Sequence, residues 1–214
     1  MQERFVGRVL RSDIRLFTVA SRLPEPDVPT FATFVRAPIQ QGNRHLIGLV
    51  YDIRLQDDPF LREIAASIPV DEAGYQEIIR DQREVRTMPV EISIVNVGYE
   101  TEEGYRYGFP PQPPMLVHTV SLCDEATVYA FTEHPDFLRP LIESRDLPAD
   151  ELIARALRRA ARLRSAAQRR PYLTAMGRYL ARYLSHDPLR LEKVLRQIST
   201  LPELQSAPEV PHAR

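Results

Sequence analysis

Several residue types on which enzymes and secreted proteins often depend are scarce in this sequence. The 214 residues include one cysteine, no tryptophan and one lysine, Lys193, so arginine carries nearly all of the positive charge. The single cysteine, Cys123, cannot form a disulfide within the chain, which is typical of proteins in a reducing compartment. Any reaction that needs a lysine has only one candidate.

Long apolar runs are also missing. No stretch approaches the roughly 18 apolar residues of a membrane-spanning helix. The first residues, MQERFVGRVLRSD, lack the apolar core that follows the charges of a secretory signal. We therefore predict a cytoplasmic protein that makes no contact with a membrane. Hydrophobic residues make up 43% of the chain, which is typical of a globular protein.

The sequence contains none of the common signatures of catalysis or cofactor binding. It has no G-x-x-x-x-G-K-[ST] loop for a nucleoside triphosphate, no G-x-S-x-G nucleophile elbow and no His or Cys pair at zinc spacing. Asp52, Asp57 and Asp58 form an acidic cluster, but Asp58 precedes a proline as helix caps do, and no lysine lies nearby. We predict no catalytic residue, no metal site and no cofactor.

Charge is divided unevenly along the chain. Residues 1–132 hold 13 Arg/Lys and 19 Asp/Glu, a balance of −6, whereas residues 133–200 hold 14 and 8, a balance of +6. Such a division indicates two parts that face different partners or each other, within one chain or between copies. A homo-oligomer is one arrangement that the pattern allows.

The first 132 residues are predicted to form mainly β-strands. Runs rich in β-branched and aromatic residues lie at 5–10, 14–19, 31–37, 46–53, 90–95, 116–122 and 127–131. We expect a hairpin through Glu102, Glu103 and Gly104. Residues 58–87 have apolar residues at helical spacing instead, which predicts a helical insertion between strands. The strand spacing is that of a small barrel or a sandwich.

The remainder of the chain is predicted to be helical. Helical apolar spacing, together with Pro135, Pro171 and Pro188 at first-turn positions, predicts helices near 135–145, 149–166, 171–185 and 188–199. Residues 201–214 have no apolar period and are predicted to be a flexible tail. The predicted fold class is α+β, with a small β-barrel at 1–132 followed by an α-helical bundle at 133–200.

Five segments of the β region resemble the HAS-barrel, the N-terminal barrel shared by HerA-type DNA-translocating ATPases and the F-type ATP synthase subunits. The segments are GRV at 7–9, FVRA at 34–37, GLVYDI at 48–53, VGYE at 97–100 and FPPQPP at 109–114. With helices behind them, their layout resembles that of stand-alone HAS-barrel proteins of bacteria.

The resemblance implies a role in binding other proteins. HAS-barrels form a non-catalytic crown on a hexameric ATPase, and in HerA-type proteins this crown contacts the NurA nuclease. This chain has no phosphate-binding loop and cannot be the motor itself. The resemblance therefore implies an adaptor that binds an ATPase ring or a nuclease in DNA processing.

The helix predicted at 149–166 has one apolar side and one arginine side. At 100° per residue, the arginine side carries Arg155, Arg158, Arg159, Arg162 and, if the helix extends, Arg169. These guanidinium groups fit an acidic protein surface or nucleic-acid phosphates, and a merely solvated helix face is the third interpretation. Direct nucleic-acid binding is therefore the alternative function.

Two further features have two interpretations each. Three tyrosines and a methionine recur at helical spacing, at Tyr172, Met176, Tyr179 and Tyr183. They form either a stripe in the core or an aromatic anchor for bases or for a protein partner. A proline-rich segment suits either a stiff barrel connection or a loop that docks onto a partner, because extended segments bind at low entropic cost. The residues of this docking loop are Phe109, Pro110, Pro111, Pro113 and Pro114.

Overall fold

The computed structural model of the chain describes residues 4–21, 29–39, 44–55 and 90–199. The chain divides into two compact units, Met1–Cys123 and Asp124–Arg214. The predicted insertion at 58–87 and the predicted tail at 201–214 lie outside the described residues. The first unit is a six-stranded antiparallel β-barrel and the second is helical, so the predicted α+β class with an N-terminal barrel is confirmed.

Seven strands make up the described part of the first unit. They are β1 (Phe5–Ser12), β2 (Leu16–Ser21), β3 (Phe34–Ile39), β4 (Arg44–Leu55), β5 (Val90–Thr101), β6 (Gly104–Tyr107) and β7 (Thr119–Leu122). The order in the sheet is β2-β1-β7-β3-β4-β5-β6, and β2 also pairs with β5. That pairing closes six strands into a ring and leaves β6 as an extra strand on β5.

Alternating side chains fill the interior of the barrel. Val90, Ile92 and Ile94 of β5 are buried in the core and the residues between them are half-buried, as the alternation in the sequence predicts. Gly48 of β4 allows close approach of neighbouring strands, because an added Cβ would lie 2.4 Å from the Ile94 methyl group and 3.3 Å from the Phe17 ring. A bulge beside Gly48 helps the long β4 to coil around the ring.

The predicted hairpin through Glu102 and Glu103 joins β5 to β6, with Thr101 paired to Gly104. Gly104 has a φ of +118°, which a residue with a side chain rarely adopts. Arg44 reaches the Glu102 carboxylate at 2.8 Å, and Arg106 reaches that of Glu103 at 2.6 Å. Such exposed ion pairs add little stability, but they engage the acids of this hairpin.

The described part of the second unit consists of five α-helices and one 3₁₀ turn. The helices are α1 (Glu125–Phe131), α2 (Arg139–Ile142), α3 (Ala149–Arg162), α4 (Ala166–Tyr183) and α5 (Pro188–Ser199), and the 3₁₀ turn is Pro135–Leu138. In the described ranges, no helix combines the length and the apolar character needed to cross a lipid bilayer. The predicted starts at 149 and 188 are confirmed.

Three local predictions for the second unit are wrong. Residues 127–131 form helix α1 and not a strand, because Asp124 caps the helix by accepting the Thr127 backbone N–H at 2.7 Å. The predicted helix 149–166 ends at Arg162, and α4 begins after Ser165, whose backbone N–H donates to Gln168 Oε1. Pro171 therefore lies inside α4 and does not start it.

Arg164, in the turn between α3 and α4, is buried with only 5% of its surface exposed. Its guanidinium donates to the carbonyl oxygens of Ala160 at 2.7 Å, Thr132 at 3.1 Å and Tyr129 at 3.3 Å. These carbonyls lie at the C-terminal ends of α3 and α1, where helices carry partial negative charge. No carboxylate in the described ranges pairs with Arg164, so the two helix ends balance its charge.

Aromatic rings complete the site around Arg164. The guanidinium carbon lies 3.6 Å from the centroid of the Tyr172 ring and 4.7 Å from that of Tyr129. A planar cation suits this position, because it can stack on rings while its edges donate hydrogen bonds. Arg164 thus joins α1, α3 and α4.

We expect the substitution Arg164→Met to lower the free energy of unfolding of the helical unit by about 3 kcal/mol, because it removes the guanidinium donors that bind three helix-end carbonyls. Urea unfolding of the full chain, followed by helical circular dichroism, measures the loss. Arg162→Met, on the exposed side of α3, is the matched control and should change stability by about 0.5 kcal/mol at most. Equal effects of the two substitutions would contradict the role given to Arg164.

Candidate functional site

The arginine side predicted for the helix at 149–166 is present on α3. Arg155 and Arg162 are exposed, and Arg158 and Arg159 are half-buried along the same side. The opposite side is buried and contains Leu152, Ile153, Ala156, Leu157 and Ala160. The apolar side thus holds α3 in the helical unit and leaves the guanidinium groups accessible at its surface.

Part of this arrangement also stabilises the helix itself. Asp150 and Glu151 lie in the first turn of α3 and Arg159 and Arg162 in the last, which matches the helix dipole at both ends. Burial, with the neighbouring charge of Arg162 as a second cause, lowers the pKa of Arg159 below its usual value. Arg158 and Arg162 form no salt bridge with a described carboxylate, so both are available to an external anion.

Arg169 does not belong to the arginine side of α3. It lies in the first turns of α4, and its Nε donates to the carbonyl oxygen of Arg164 at 3.0 Å. The prediction placed Arg169 on the arginine side only if one helix ran through residue 169. Because the chain turns after Arg162, Arg169 instead donates a hydrogen bond to the backbone of that turn.

The positive charge extends well beyond the arginine side of α3. No aspartate or glutamate occurs from residue 152 to residue 186, although nine arginines do. Apart from its first three residues, α3 lies in this acid-free segment, as does all of α4. Long surface helices usually alternate the signs of their charges, so a segment with one sign attracts anions over its whole length. Counting acids in a sliding window finds this signal.

The predicted docking loop lies between β6 and β7. Phe109 and Pro111 are exposed, Pro113 is half-buried, and Pro110 and Pro114 are buried. Ser12 Oγ donates to the Pro114 carbonyl oxygen at 2.7 Å, which ties the segment to the end of β1. The segment is therefore partly a packed connection, and only some of its side chains can meet a partner.

The three residues that follow the prolines are all apolar and exposed. Met115, Leu116 and Val117 are 50%, 58% and 65% exposed. The sequence prediction assigned Leu116 and Val117 to a strand, because apolar residues precede β7, but β7 begins only at Thr119. We refer to residues 108–118 as the β6–β7 loop.

Hydrogen bonds to β1 hold the β6–β7 loop in place. The backbone N–H of Val117 donates to the Val9 carbonyl oxygen at 2.8 Å, and that of Val9 donates to the His118 carbonyl oxygen at 3.0 Å. Arg8 donates to the carbonyl oxygen of Val117 at 3.1 Å. Leu10, on the strand beside the loop, is 43% exposed. A fixed backbone thus presents several apolar side chains to solvent.

Val117 has a φ of +67°, a left-handed conformation that is unusual for a β-branched residue. Holding a valine there costs on the order of 1–2 kcal/mol, and the exposed side chain regains little of it by burial. A strained and exposed apolar residue is typical of sites at which function, and not folding, selects the side chain.

The tyrosine stripe of α4 runs from the core to the surface. Tyr172 and Met176 are buried, Tyr179 is half-buried and Tyr183 is 37% exposed. The rings of Tyr179 and Tyr183 pack against each other at a tilt, with centroids 4.6 Å apart. Burial raises the pKa of Tyr179, with a hydrogen bond to Tyr183 and the charge of Asp136 as further causes, so its hydroxyl stays protonated at neutral pH. The interpretation as a core stripe therefore holds for Tyr172 and Met176, the first half of the stripe.

An open groove of about 630 Å³ lies beside the start of α3. Asp150 accepts from Arg190 at 2.7 Å and lies 3.5 Å from the ammonium of Lys193, the only lysine of the chain. These groups neutralise one another and join α3 to α5.

The described ranges contain no cluster of three potential metal ligands, and Asp52 forms a salt bridge with Arg54. Asp57 and Asp58 lie outside the described residues.

The fold defines the class of this protein as α+β, with a six-stranded antiparallel barrel followed by helices. No protein-family model matches the chain, and no curated protein matches it either.

Replacing Val117 by glycine should raise the free energy of unfolding of the barrel by about 1 kcal/mol, because glycine adopts a positive φ without strain. Urea unfolding of the full chain, followed by a signal from the β-sheet, measures the change. Leu116→Gly is the matched control: Leu116 lies in the same loop and has no positive φ, so glycine there should lower stability. Destabilisation by both substitutions would contradict the strain assigned to Val117.

Proposed function

We propose that this chain is a cytoplasmic, non-catalytic docking protein with a barrel of the HAS type. Its partner is a HerA-type ATPase ring or the NurA-type nuclease that works with such a ring in DNA processing. The proposal rests on the resemblance of five strand and loop segments and is supported by a closed antiparallel barrel.

The observation that carries the proposal is the β6–β7 loop. Met115, Leu116 and Val117 form three consecutive exposed apolar residues on a backbone that β1 holds in one conformation. Apolar surface gains free energy when a partner removes it from water. A loop whose backbone is already hydrogen-bonded to a strand loses less conformational entropy on binding, so more of that gain remains as affinity.

The proposal gives the barrel no catalytic residue. Acids on its described surface contact basic side chains: Glu91 contacts Arg11, Glu100 contacts His45 and Glu102 contacts Arg44. These contacts engage the three carboxylates at the surface of the barrel, and the proposal assigns proton transfer to none of them. A docking role needs only such a surface and an apolar contact.

We expect the purified chain to form a complex with the HerA-type ATPase or the NurA-type nuclease encoded in the same genome. Size-exclusion chromatography with light scattering gives the stoichiometry, and it also identifies a homo-oligomer of the chain alone. Leu116→Asp should weaken the complex at least about tenfold, because it places a charge in the apolar contact.

Leu189→Asp is the control for this substitution. Leu189 is 79% exposed on α5, outside the loop, and its replacement should leave the affinity unchanged. If neither partner binds the wild-type chain, the identity of the partner is wrong. If Leu116→Asp binds as tightly as the wild type, the loop is not the docking site.

The second candidate function is direct binding of nucleic acid through the arginine side of α3. The observation that favours it is the absence of any acid from residue 152 to residue 186. Phosphate groups attract such a surface over a long distance, and arginine binds them with paired donors. The residues assigned to this contact are Arg155, Arg158, Arg159 and Arg162.

Replacing these four arginines by alanine should weaken DNA binding and reduce the slope of log affinity against log salt by up to about four, since fewer counterions are released. Fluorescence anisotropy with labelled duplex DNA measures both quantities. The variant with four lysines retains the charge and should keep most of the slope. A slope that does not change in the alanine variant would exclude this surface.

A further inference from the structure

The C-terminal half of α4 forms a surface that neither proposed function uses. Tyr179 and Tyr183 lie one helical turn apart and their rings are in contact, with centroids separated by 4.6 Å and a tilt of 32° between the rings. Arg178 and Arg182 are exposed on the adjoining part of the same helix. The arrangement combines an aromatic face with two guanidinium groups.

Contacts with the rest of the helical unit hold the Tyr179 ring in place. Tyr179 is half-buried, and its hydroxyl donates to Asp136 Oδ1 at 3.4 Å. Tyr172 and Met176, which precede it on the same stripe, are buried in the unit. Tyr183 rests on this fixed ring and is 37% exposed. An incoming planar group therefore meets a preformed aromatic surface.

The charges around the ring pair are not balanced locally. Arg178 and Arg182 are four residues apart on one helix, a spacing at which like charges repel. Neither forms a salt bridge with a carboxylate in the described ranges, and α4 contains no acid. Asp136 is the one described carboxylate that touches the ring pair, and the hydroxyl of Tyr179 engages it. An anionic ligand would relieve the repulsion.

We infer that Tyr183, supported by Tyr179 and flanked by Arg178 and Arg182, binds an unpaired base of single-stranded nucleic acid. Bases of any sequence stack on aromatic side chains, and nearby arginines hold the phosphates on either side. An acidic protein segment would use the two charges but would not need the ring. Paired bases in a duplex have no free face to offer, so this surface favours single strands.

The inference assigns a ligand to a surface distinct from the β6–β7 loop and does not depend on docking to an ATPase or a nuclease. It shares the class of ligand with the second candidate function, but not the residues. Substitutions in α4 and in α3 therefore separate the two.

The probe is a fluorescein-labelled oligothymidylate of about 16 nucleotides, the upper end of common single-strand site sizes. Fluorescence anisotropy with the full chain at moderate salt gives the affinity. Tyr183→Leu should weaken binding about tenfold, because leucine keeps the bulk but offers no ring face. The matched control Tyr183→Phe retains the ring and should stay within about twofold of the wild type.

Two further probes decide among ligands. Polyglutamate of the same charge and a duplex of the same length should both bind more weakly than the oligothymidylate, and Tyr183→Leu should not change their affinities. Equal binding of polyglutamate, or an equal effect of Tyr183→Leu on it, would overturn the inference in favour of an acidic protein segment.

The α3 variant with four alanines completes the test. If it abolishes oligothymidylate binding while Tyr183→Leu binds like the wild type, the ligand lies on α3 and the inference fails. If Tyr183→Leu alone is defective, the inference holds even where the second candidate function fails. Helical circular dichroism of each variant confirms that α4 is intact.

Discussion

The pairing of β2 with β5 is the constraint on which the N-terminal unit depends. All six residues of β2, from Leu16 to Ser21, pair with residues of β5. Without this contact both strands would present open edges, and the sheet could not enclose its apolar side chains. Closure also fixes β1 between β2 and β7. Because β1 holds the β6–β7 loop, the geometry of the proposed docking surface follows from closure.

Arg164 has the corresponding role in the helical unit. A buried charge is costly, and here the ends of two helices compensate it in place of a carboxylate. Only a planar group with several donors can bind both ends and stack on Tyr172. The near absence of lysine is therefore compatible with the fold, because arginine occupies a buried position in the turn after α3 as well as exposed positions on α3 and α4.

The three surfaces to which we assign partners share one physical property. Each lies on a backbone that the fold holds in place, and each presents groups at the surface that suit a partner. The β6–β7 loop exposes apolar side chains to water, α3 presents a row of guanidinium groups, and the end of α4 exposes a tyrosine ring beside two like charges. Rigid elements of this kind lose little entropy on binding. Under these proposals the chain brings a protein partner and a nucleic acid together.

The sequence alone determined what depends on local periodicity. Alternation at Val90, Ile92 and Ile94 predicted the inward face of a strand, and helical spacing predicted which side of α3 carries arginine, because side-chain direction follows from backbone geometry. Helical apolar spacing located the start of α3, and Pro188 located that of α5. Pro171 gave a wrong start, since a helix can include a proline where other contacts hold it.

Only the tertiary structure decided the features that require distant residues to meet. A barrel was distinguished from a sandwich by the β2–β5 pairing, which joins residues 69 to 79 positions apart. Residues 127–131 have the composition of a strand but are helical, because the Asp124 cap and burial of Val128 and Phe131 outweigh their propensity. The burial of Arg164, the exposure of Met115 to Val117 and the emergence of Tyr183 at the surface depend on neighbours that no local pattern specifies.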